Sequence, residues 1–307
     1  MIEPVEYSYE EFPESKTVTK GMNVIEFEDE ITSVVCKRYK TYVERDGKGL
    51  KLQLLMPYYT VEHMEKLPCI VFVQGSGWIK QKLYLNIGNL SKIADKGYIV
   101  AIVQYRSAED NPFPAQVQDI KTAIRYLRKH AAEYKIDKDN IFLWGDSSGA
   151  HVALITGITS GVTELDTNDY SEYSDKVNAI VDFYGPTDIT KMNEAPTTAD
   201  YTVPDSPVGI LIGKLDVKKN EEKAQRANVL NYITKGRDIP PIIIFHGSKD
   251  RIVPFEQSAM LHEKLLVEGK ESSIYKIIGQ DHCGPGFWQD KVIDLIDEFF
   301  EKHMKRV

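Results

Sequence analysis

Gly145-Asp146-Ser147-Ser148-Gly149 puts a serine between two glycines where the apolar run 140–144 (NIFLW) gives way to the helix-compatible run 150–155 (AHVALI). A serine framed in this way at a strand-to-helix turn is the nucleophile-elbow pattern. The turn is sharp, so side chains two residues to either side would strike the strand or the helix, and glycine removes them. The Ser147 hydroxyl is then pushed out above the sheet edge. The helix N-terminus behind it offers N–H groups to developing negative charge. The chemistry expected of such a hydroxyl is acyl transfer.

An activated serine needs a base, and the base needs an orienting acid. The topology that carries this elbow has the chain order Ser, acid, His. Residues 242–245 (IIIF) run into His246-Gly247-Ser248-Lys249-Asp250, and residues 273–278 run into Gly279-Gln280-Asp281-His282-Cys283. Asp250 and His282 therefore fall on loops at the C-terminal edge of strands, where open α/β sheets gather their chemistry. Asp281 adjoins His282 in sequence and is poorly placed to orient its ring from behind. His246 is expected to pack at its strand end, and His151 to act as a structural hydrogen-bonding histidine. Cys283 has neither an elbow nor a separate base.

Donors for an oxyanion are expected from the backbone N–H of Ser148, next to the nucleophile. Others should come from the loop after 69–73 (CIVFV), which reads Gln74-Gly75-Ser76-Gly77-Trp78. Ser76 and Gly77 are the expected donors there, with Trp78 the alternative. Gly75-x-Gly77 lacks the third glycine and the downstream acid of a nucleotide fingerprint. Trp78 and Trp288 are candidate sugar-stacking, substrate-binding aromatics, with core packing the alternative.

The elements that must position these residues alternate in type. Residues 50–56 alternate and stop at Pro57; 69–73, 98–103, 140–144, 177–183 and 242–245 are apolar runs typical of strands covered on both faces. Pro114 opens a helix with Val117, Ile120, Ile124, Leu127 and Ala131 at spacings of three and four. Further helices are expected after the elbow, over about 255–268, and in the tail with Val292, Leu295, Ile296, Phe299 and Phe300. This pattern predicts an α/β fold with a mostly parallel sheet and helices on both faces. Residues 1–48 read as an N-terminal arm ending at Asp46-Gly47-Lys48-Gly49, and 49–307 as the catalytic domain. From 186 to 223 the rhythm breaks, with four prolines (Pro186, Pro196, Pro204, Pro207) and no long periodic run. This stretch is expected to be an inserted cap over the site, a passive surface loop being the alternative.

Composition narrows the function classes. The 307 residues carry 38 Lys and Arg against 46 Asp and Glu, a net charge of −8, which argues against nucleic acid or an anionic membrane as partner. The first twenty residues are acidic and Tyr-rich, without the basic and apolar regions of a secretory signal. No apolar stretch approaches the roughly 18 residues of a membrane span. Cys36, Cys69 and Cys283 are three in number and have no CxxC spacing, so a disulfide framework and a thiolate zinc site are not expected. A cytoplasmic location follows. The tyrosines of the arm (Tyr7, Tyr9, Tyr39, Tyr42) offer a surface for a second subunit in a homodimer or for the chain's own domain.

Three segments together resemble a known family: the elbow GDSSGAHVAL, Phe113-Pro114-Ala115-Gln116-Val117-Gln118-Asp119 leading into AIRYLR, and the tail HGSKDRIVPFEQS…GQDHCG. They look like the α/β-hydrolase carboxylesterases. The closest resemblance is to the bacterial branch of feruloyl and acetyl esterases acting on plant cell-wall oligosaccharides, near the hormone-sensitive-lipase group. It covers about residues 50–304. It implies an α/β-hydrolase fold and a serine hydrolase without metal or cofactor, using Ser147, Asp250 and His282 on a small-molecule or oligosaccharide ester. The family's oxyanion segment usually reads His-Gly-Gly-Gly-Trp, whereas Gln74 and Ser76 stand here for the histidine and the middle glycine. A serine Cβ there is expected to narrow the acyl pocket or alter the backbone. An amide or formamide hydrolase of the kynurenine formamidase type, or a peptidase, would use the same parts. A ligand-binding protein on a hydrolase scaffold is the reading from another class.

Overall fold

In the computed structural model, residues 3–26, 33–58 and 66–306 are described. The chain divides into two units, Met1–Ile31 and Thr32–Val307. In the first, the described residues form turns without helix or strand, and Tyr7 packs edge-on to Phe12 at 5.6 Å. The remainder of the expected arm is different in kind. Residues 27–32 lie outside the described residues, and Ser33–Arg45 is the first strand of the sheet, β1. Its residues are mostly exposed and lack strict alternation, so an edge strand of this kind leaves little hydrophobic signal.

The other strands are β2 (Lys48–Tyr58), β3 (Leu67–Val73), β4 (Ile99–Val103), β5 (Ile136–Asp146), β6 (Ile180–Phe183), β7 (Ile242–Gly247) and β8 (Ser272–Ile277). They form one eight-stranded sheet in the order β1-β2-β4-β3-β5-β6-β7-β8. β2 runs antiparallel to β1 and to β4, and every other neighbouring pair is parallel. This is the α/β-hydrolase fold. The run expected over 177–183 pairs as a strand only from Ile180.

The central strands explain their own sequence. Cys69, Val71 and Val73 point into one core layer and Ile70 and Phe72 into the other, all fully buried. A strand with two dry faces has no place for polar side chains, hence CIVFV without alternation. One layer is closed by α2 (Ala115–Lys129), α3 (Ser148–Ile158) and α6 (Glu256–Val267), through Val117, Ile124, Leu154 and Leu261. The other is closed by α1 (Ile87–Ala94) and α7 (Asp290–Lys302), through Leu90, Ile93, Ile296 and Phe300. α1 is eight residues long and buries Leu90, Ile93 and Ala94, too few to show in the sequence as a period. Between β6 and β7 the chain forms the short helices α4 (Pro207–Leu211) and α5 (Glu221–Arg226) joined by irregular segments. No helix among the described residues is long and apolar enough to cross a membrane.

The contact that sets the site's geometry is α3 against β3. A Cβ on Gly149 would overlap the Val73 carbonyl oxygen, and one on Gly145 would stand 2.5 Å from the Ala150 backbone nitrogen. Gly149→Ala must therefore push the helix off the strand. The expected loss is about 3 kcal/mol of unfolding free energy, read as a lower urea midpoint with an unchanged m-value; a midpoint equal to wild type would show that the approach is not required.

Candidate active site

β5 ends at Asp146, and Ser147 turns the chain into α3 with φ 53° and ψ −129°, outside the regions that side chains favour. The Ser147 N–H donates to the Phe183 carbonyl of β6 at 2.8 Å, and its own carbonyl accepts from Ala150 N–H at 3.0 Å. The hydroxyl is thereby held at the C-terminal edge of the sheet. The loops after β7 and β8 bring Asp250 and His282 to it. Ser147 Oγ lies 3.0 Å from His282 Nε2, and His282 Nδ1 donates to Asp250 Oδ2 at 2.7 Å. An ionised carboxylate only accepts, so Nδ1 carries the proton and Nε2 is left to accept from the serine.

Asp250 has more partners than the imidazole. Its Oδ1 accepts from the N–H groups of Ile252 and Val253, both at 2.9 Å. His246, fully buried at the end of β7, is more than packing. Its Nε2 donates to the Val253 carbonyl at 2.9 Å and stands 3.2 Å from Asp250 Oδ2, while Ser258 Oγ bonds its Nδ1 at 2.7 Å. Burial pushes the Asp250 carboxyl up, but the hydrogen bonds from His246 and His282 outweigh it and hold it well below the usual carboxylate range. For His282, burial pulls downward. The bond to Asp250 and the neighbouring Cys283 overcome that and raise its proton affinity above an ordinary histidine's.

Asp281 does not touch the imidazole of His282. Its Oδ1 accepts from the N–H of His282 at 2.8 Å and of Arg251 at 3.1 Å, and its Oδ2 pairs with the Arg251 guanidinium at 2.6 Å. It therefore staples the loop bearing Asp250 to the loop bearing His282.

The loop after β3 meets the elbow closely. Gly75 N–H donates to Asp146 Oδ1 at 2.7 Å, and a Cβ on Gly75 would stand 2.5 Å from the Asp146 carbonyl oxygen. Of the three expected oxyanion donors, the Ser76 N–H is already engaged, donating to Ser148 Oγ at 2.9 Å. The N–H groups of Gly77 and Ser148 make no hydrogen bond among the described residues. The Ser76 side chain anchors its own loop, donating to the Ile79 carbonyl at 2.6 Å and meeting Tyr105 Oη at 3.0 Å. Tyr105 is in turn fixed by Gln81 Oε1, which accepts its N–H at 3.0 Å. Ser76 thus stands where a glycine would lack these two contacts.

A cavity of about 280 Å³ opens over Ser147, walled by Gly77, Trp78, Met192, Tyr201, Pro207 and Ile252. Met192, Tyr201 and Pro207 come from the segment between β6 and β7. A larger cavity of about 700 Å³ lies on the other side of the Asp250 loop, without Ser147 in its wall.

The two tryptophans separate. Trp288 is not at this cavity: it stacks on Trp144 at 5.5 Å within the core layer under α1 and α7, which leaves no face for a sugar. Trp78 lines the cavity but is 3% exposed, and its Nε1 donates to His151 Nδ1 at 3.1 Å. His151 Nε2 donates onward to the Ala227 carbonyl at 2.7 Å, so His151 ties the loop after β3 to the segment before β7. The residues that sequence reading left out are Tyr105, Gln81 and Tyr184, whose ring lies 4.6 Å from that of His282. Tyr184 directly follows β6 at the sheet's C-terminal edge, which was the available signal.

Cys36, Cys69 and Cys283 are unpaired thiols, and among the described residues no group of three or more His, Cys, Asp or Glu is arranged to hold a metal ion.

The sequence profile described as BD-FAE matches residues 55–265, more than half of the chain. The chain belongs to the BD-FAE family. The match includes Ser147 and Asp250 and ends before His282. Esterase LipC of Mycobacterium tuberculosis is 27% identical over 75% of this chain and 54% of its own length. A probable isoprenylcysteine alpha-carbonyl methylesterase, ICMEL1, of Arabidopsis thaliana is 28% identical over 76% and 49% respectively. The chain thus spans about half the length of the curated relatives it matches. Among solved structures, a truncated carbohydrate esterase from gut microbiota superposes with a TM-score of 0.78 at 28% identity, over 90% of this BD-FAE chain and 98% of that one. A propionate-bound esterase from Thermogutta terrifontis shares the fold, with a TM-score of 0.69 at 24% identity over 87% and 94%.

His151 gives a pH prediction. Full burial lowers its proton affinity to about 4, so the folded protein holds it neutral where the unfolded chain protonates it near 6.5. The stability contributed by this site is complete above pH 6.5 and drains away as pH falls toward 4, by roughly 3 kcal/mol in all. Urea midpoints between pH 7 and 4 should fall less steeply in His151→Leu than in wild type; equal slopes would remove His151 as the source.

Proposed function

We propose that this chain is a serine carboxylesterase that cleaves short-chain acyl or aryl esters through an acyl-enzyme on Ser147. The observation that carries the reading is the hydrogen-bonded series Asp250–His282–Ser147 beside two unoccupied backbone donors, Gly77 and Ser148. Ser147 Oγ bonds to the ester carbonyl carbon as its proton passes to His282 Nε2. Asp250 holds the imidazole by Nδ1–H and stabilises it when charged. The carbonyl oxygen, now negative, rests against the N–H groups of Gly77 and Ser148; Ser76 N–H joins them if the Ser148 hydroxyl turns away. The tetrahedral centre then collapses, and the alcohol leaves with the proton from His282. Water adds to the acyl carbon with its proton going to His282. The acid departs, and Ser147 recovers its proton.

The substrate class proposed is acetyl or feruloyl esters of plant cell-wall oligosaccharides. Membership of the BD-FAE family and the likeness to a carbohydrate esterase over nearly all of that chain support it. The segment 186–223 acts as the cap, since it supplies Pro186, Met192, Tyr201 and Pro207 to the cavity wall. A small apolar cavity suits the acyl group, and the polar alcohol is left toward solvent.

The test is a panel of p-nitrophenyl esters from acetate to octanoate, methyl ferulate and acetylated xylo-oligosaccharide. Ser147→Ala should lower kcat by about 10⁶, and Asp250→Asn by about 10⁴. Because His282 holds its proton more tightly than an ordinary histidine, kcat/KM should rise with pH through a midpoint above about 6.5. Asp250→Asn should move that midpoint down. A wild type no faster than Ser147→Ala on every ester defeats the reading, and turnover of N-formylkynurenine alone would replace it with an amide hydrolase.

A further inference from the structure

Eight described non-glycine residues have positive φ, and four of them gather at this site: Trp78 (61°), Ser147 (53°), Tyr184 (44°) and Cys283 (58°). They lie on the segments leaving β3, β5, β6 and β8. An L side chain at such φ costs conformational energy and persists where the surroundings over-determine it, most often at functional sites. Trp78, Ser147 and Cys283 line the cavity over the nucleophile. Tyr184 has no part in the chemistry proposed above, yet its backbone is also closely held. Its N–H donates to the Phe245 carbonyl at 2.9 Å, and the next N–H, of Gly185, donates to the buried Asp182 Oδ1 at 2.9 Å. A Cβ on Gly185 would stand 2.8 Å from Ala150 Cβ, so the turn has no room to relax.

The side chain held in this way is 1% exposed. Its ring packs across the His282 imidazole, centroids 4.6 Å apart and planes at 62°, and is backed by Phe287 at 4.3 Å. Among the described residues the imidazole nitrogens are hydrogen-bonded at Nδ1 by Asp250 and at Nε2 by Ser147, with the Cys283 side chain beside the ring. Rotation about the Cα–Cβ and Cβ–Cγ bonds lets the ring rock, and two hydrogen bonds alone resist that motion weakly. A rigid ring packed against it removes the freedom and keeps water away.

Resting on the esterase reading, we propose that Tyr184 is a positioning residue for His282: its ring, fixed at the end of β6, stops the imidazole from rocking and shields it from water. The remaining groups around the imidazole are Asp250 from the β7 loop, Asp146 from β5 and Cys283 on its own loop, and the Tyr184 phenol itself lies against Asp146 and Cys283.

The experiment compares Tyr184→Leu and Tyr184→Phe with wild type on p-nitrophenyl acetate. Tyr184→Leu should lower kcat by about 10- to 100-fold with KM changed less than about twofold. It should also raise the pH midpoint of kcat/KM, since burial opposes protonation of His282 and water now reaches it. Tyr184→Phe, which keeps the ring, should restore most of the rate and the wild-type midpoint. Wild-type kcat and midpoint in Tyr184→Leu overturn the proposal, and so does a Tyr184→Phe loss as large as that of Tyr184→Leu. Should Tyr184→Leu not fold, Tyr184→Met takes its place under the same criteria. Should the wild type cleave no ester, the imidazole is read directly by proton NMR. A His282 Nδ1–H resonance broadened by water exchange in Tyr184→Leu and sharp in Tyr184→Phe sustains the proposal; one equally sharp in all three proteins ends it.

Discussion

The close approach of α3 to β3 is the constraint on which the site depends. Gly149 has no Cβ because the Val73 carbonyl occupies that space, and Gly75 has none because the Asp146 carbonyl and Ser147 Cβ do. Once these backbones touch, Ser147 has no extended conformation available and takes φ 53°. Backbone strain of this kind costs about 1–3 kcal/mol at each residue. It is offset by what surrounds it, since β4, β3 from Cys69 onward and the middle of β5 are fully buried with two packed faces. A sheet so rigid fixes its strand ends, and the loops inherit that precision.

Charge is controlled by the donors each buried carboxyl receives and by how deeply it is desolvated. Asp250 takes two backbone N–H groups and two imidazoles, and stays ionised despite burial. Asp146 is buried and accepts the Gly75 N–H, with the Tyr184 phenol beside it; desolvation outweighs these and drives it to about 6. Asp182 accepts one N–H, from Gly185, and is driven to about 7. The three lie on adjacent strands or their ends, and Asp250 differs in having two imidazoles beside it and in being less deeply desolvated. A carboxylate with four donors gives the imidazole a fixed, charged partner. Removing His246 would therefore act on Asp250 before it acted on the ring beyond it.

Several parts of the fold were legible because burial writes them into composition. CIVFV and IVAIV are unbroken because both faces of β3 and β4 are dry, and Val117, Ile120, Ile124 and Leu127 recur at helical spacing because α2 buries one face. β1 was not legible: SVVCKRYKTYVER is an exposed edge strand whose register shifts between Lys37 and Lys40 and again between Thr41 and Val43. α1 was too short to show a period, and Trp288 gave no sign of which side of the sheet it would occupy. An aromatic residue near a loop reads the same whether it faces a ligand or, as here, Trp144.

Which residues stand at strand ends can be read along the chain: Ser147 between its glycines, Asp250 after IIIF and His282 after the last strand. That is local information, carried by hydrophobic runs and the turns that end them. How these residues and their neighbours meet is a property of the assembled fold. His246 proved to share Asp250, Asp281 to staple two loops, the Ser76 N–H to be occupied by Ser148, and Tyr184 to lie across the imidazole. Each of these contacts joins segments through the order in which strands pair. Pairing order is set by the packing of two core layers as a whole, and no single segment carries it.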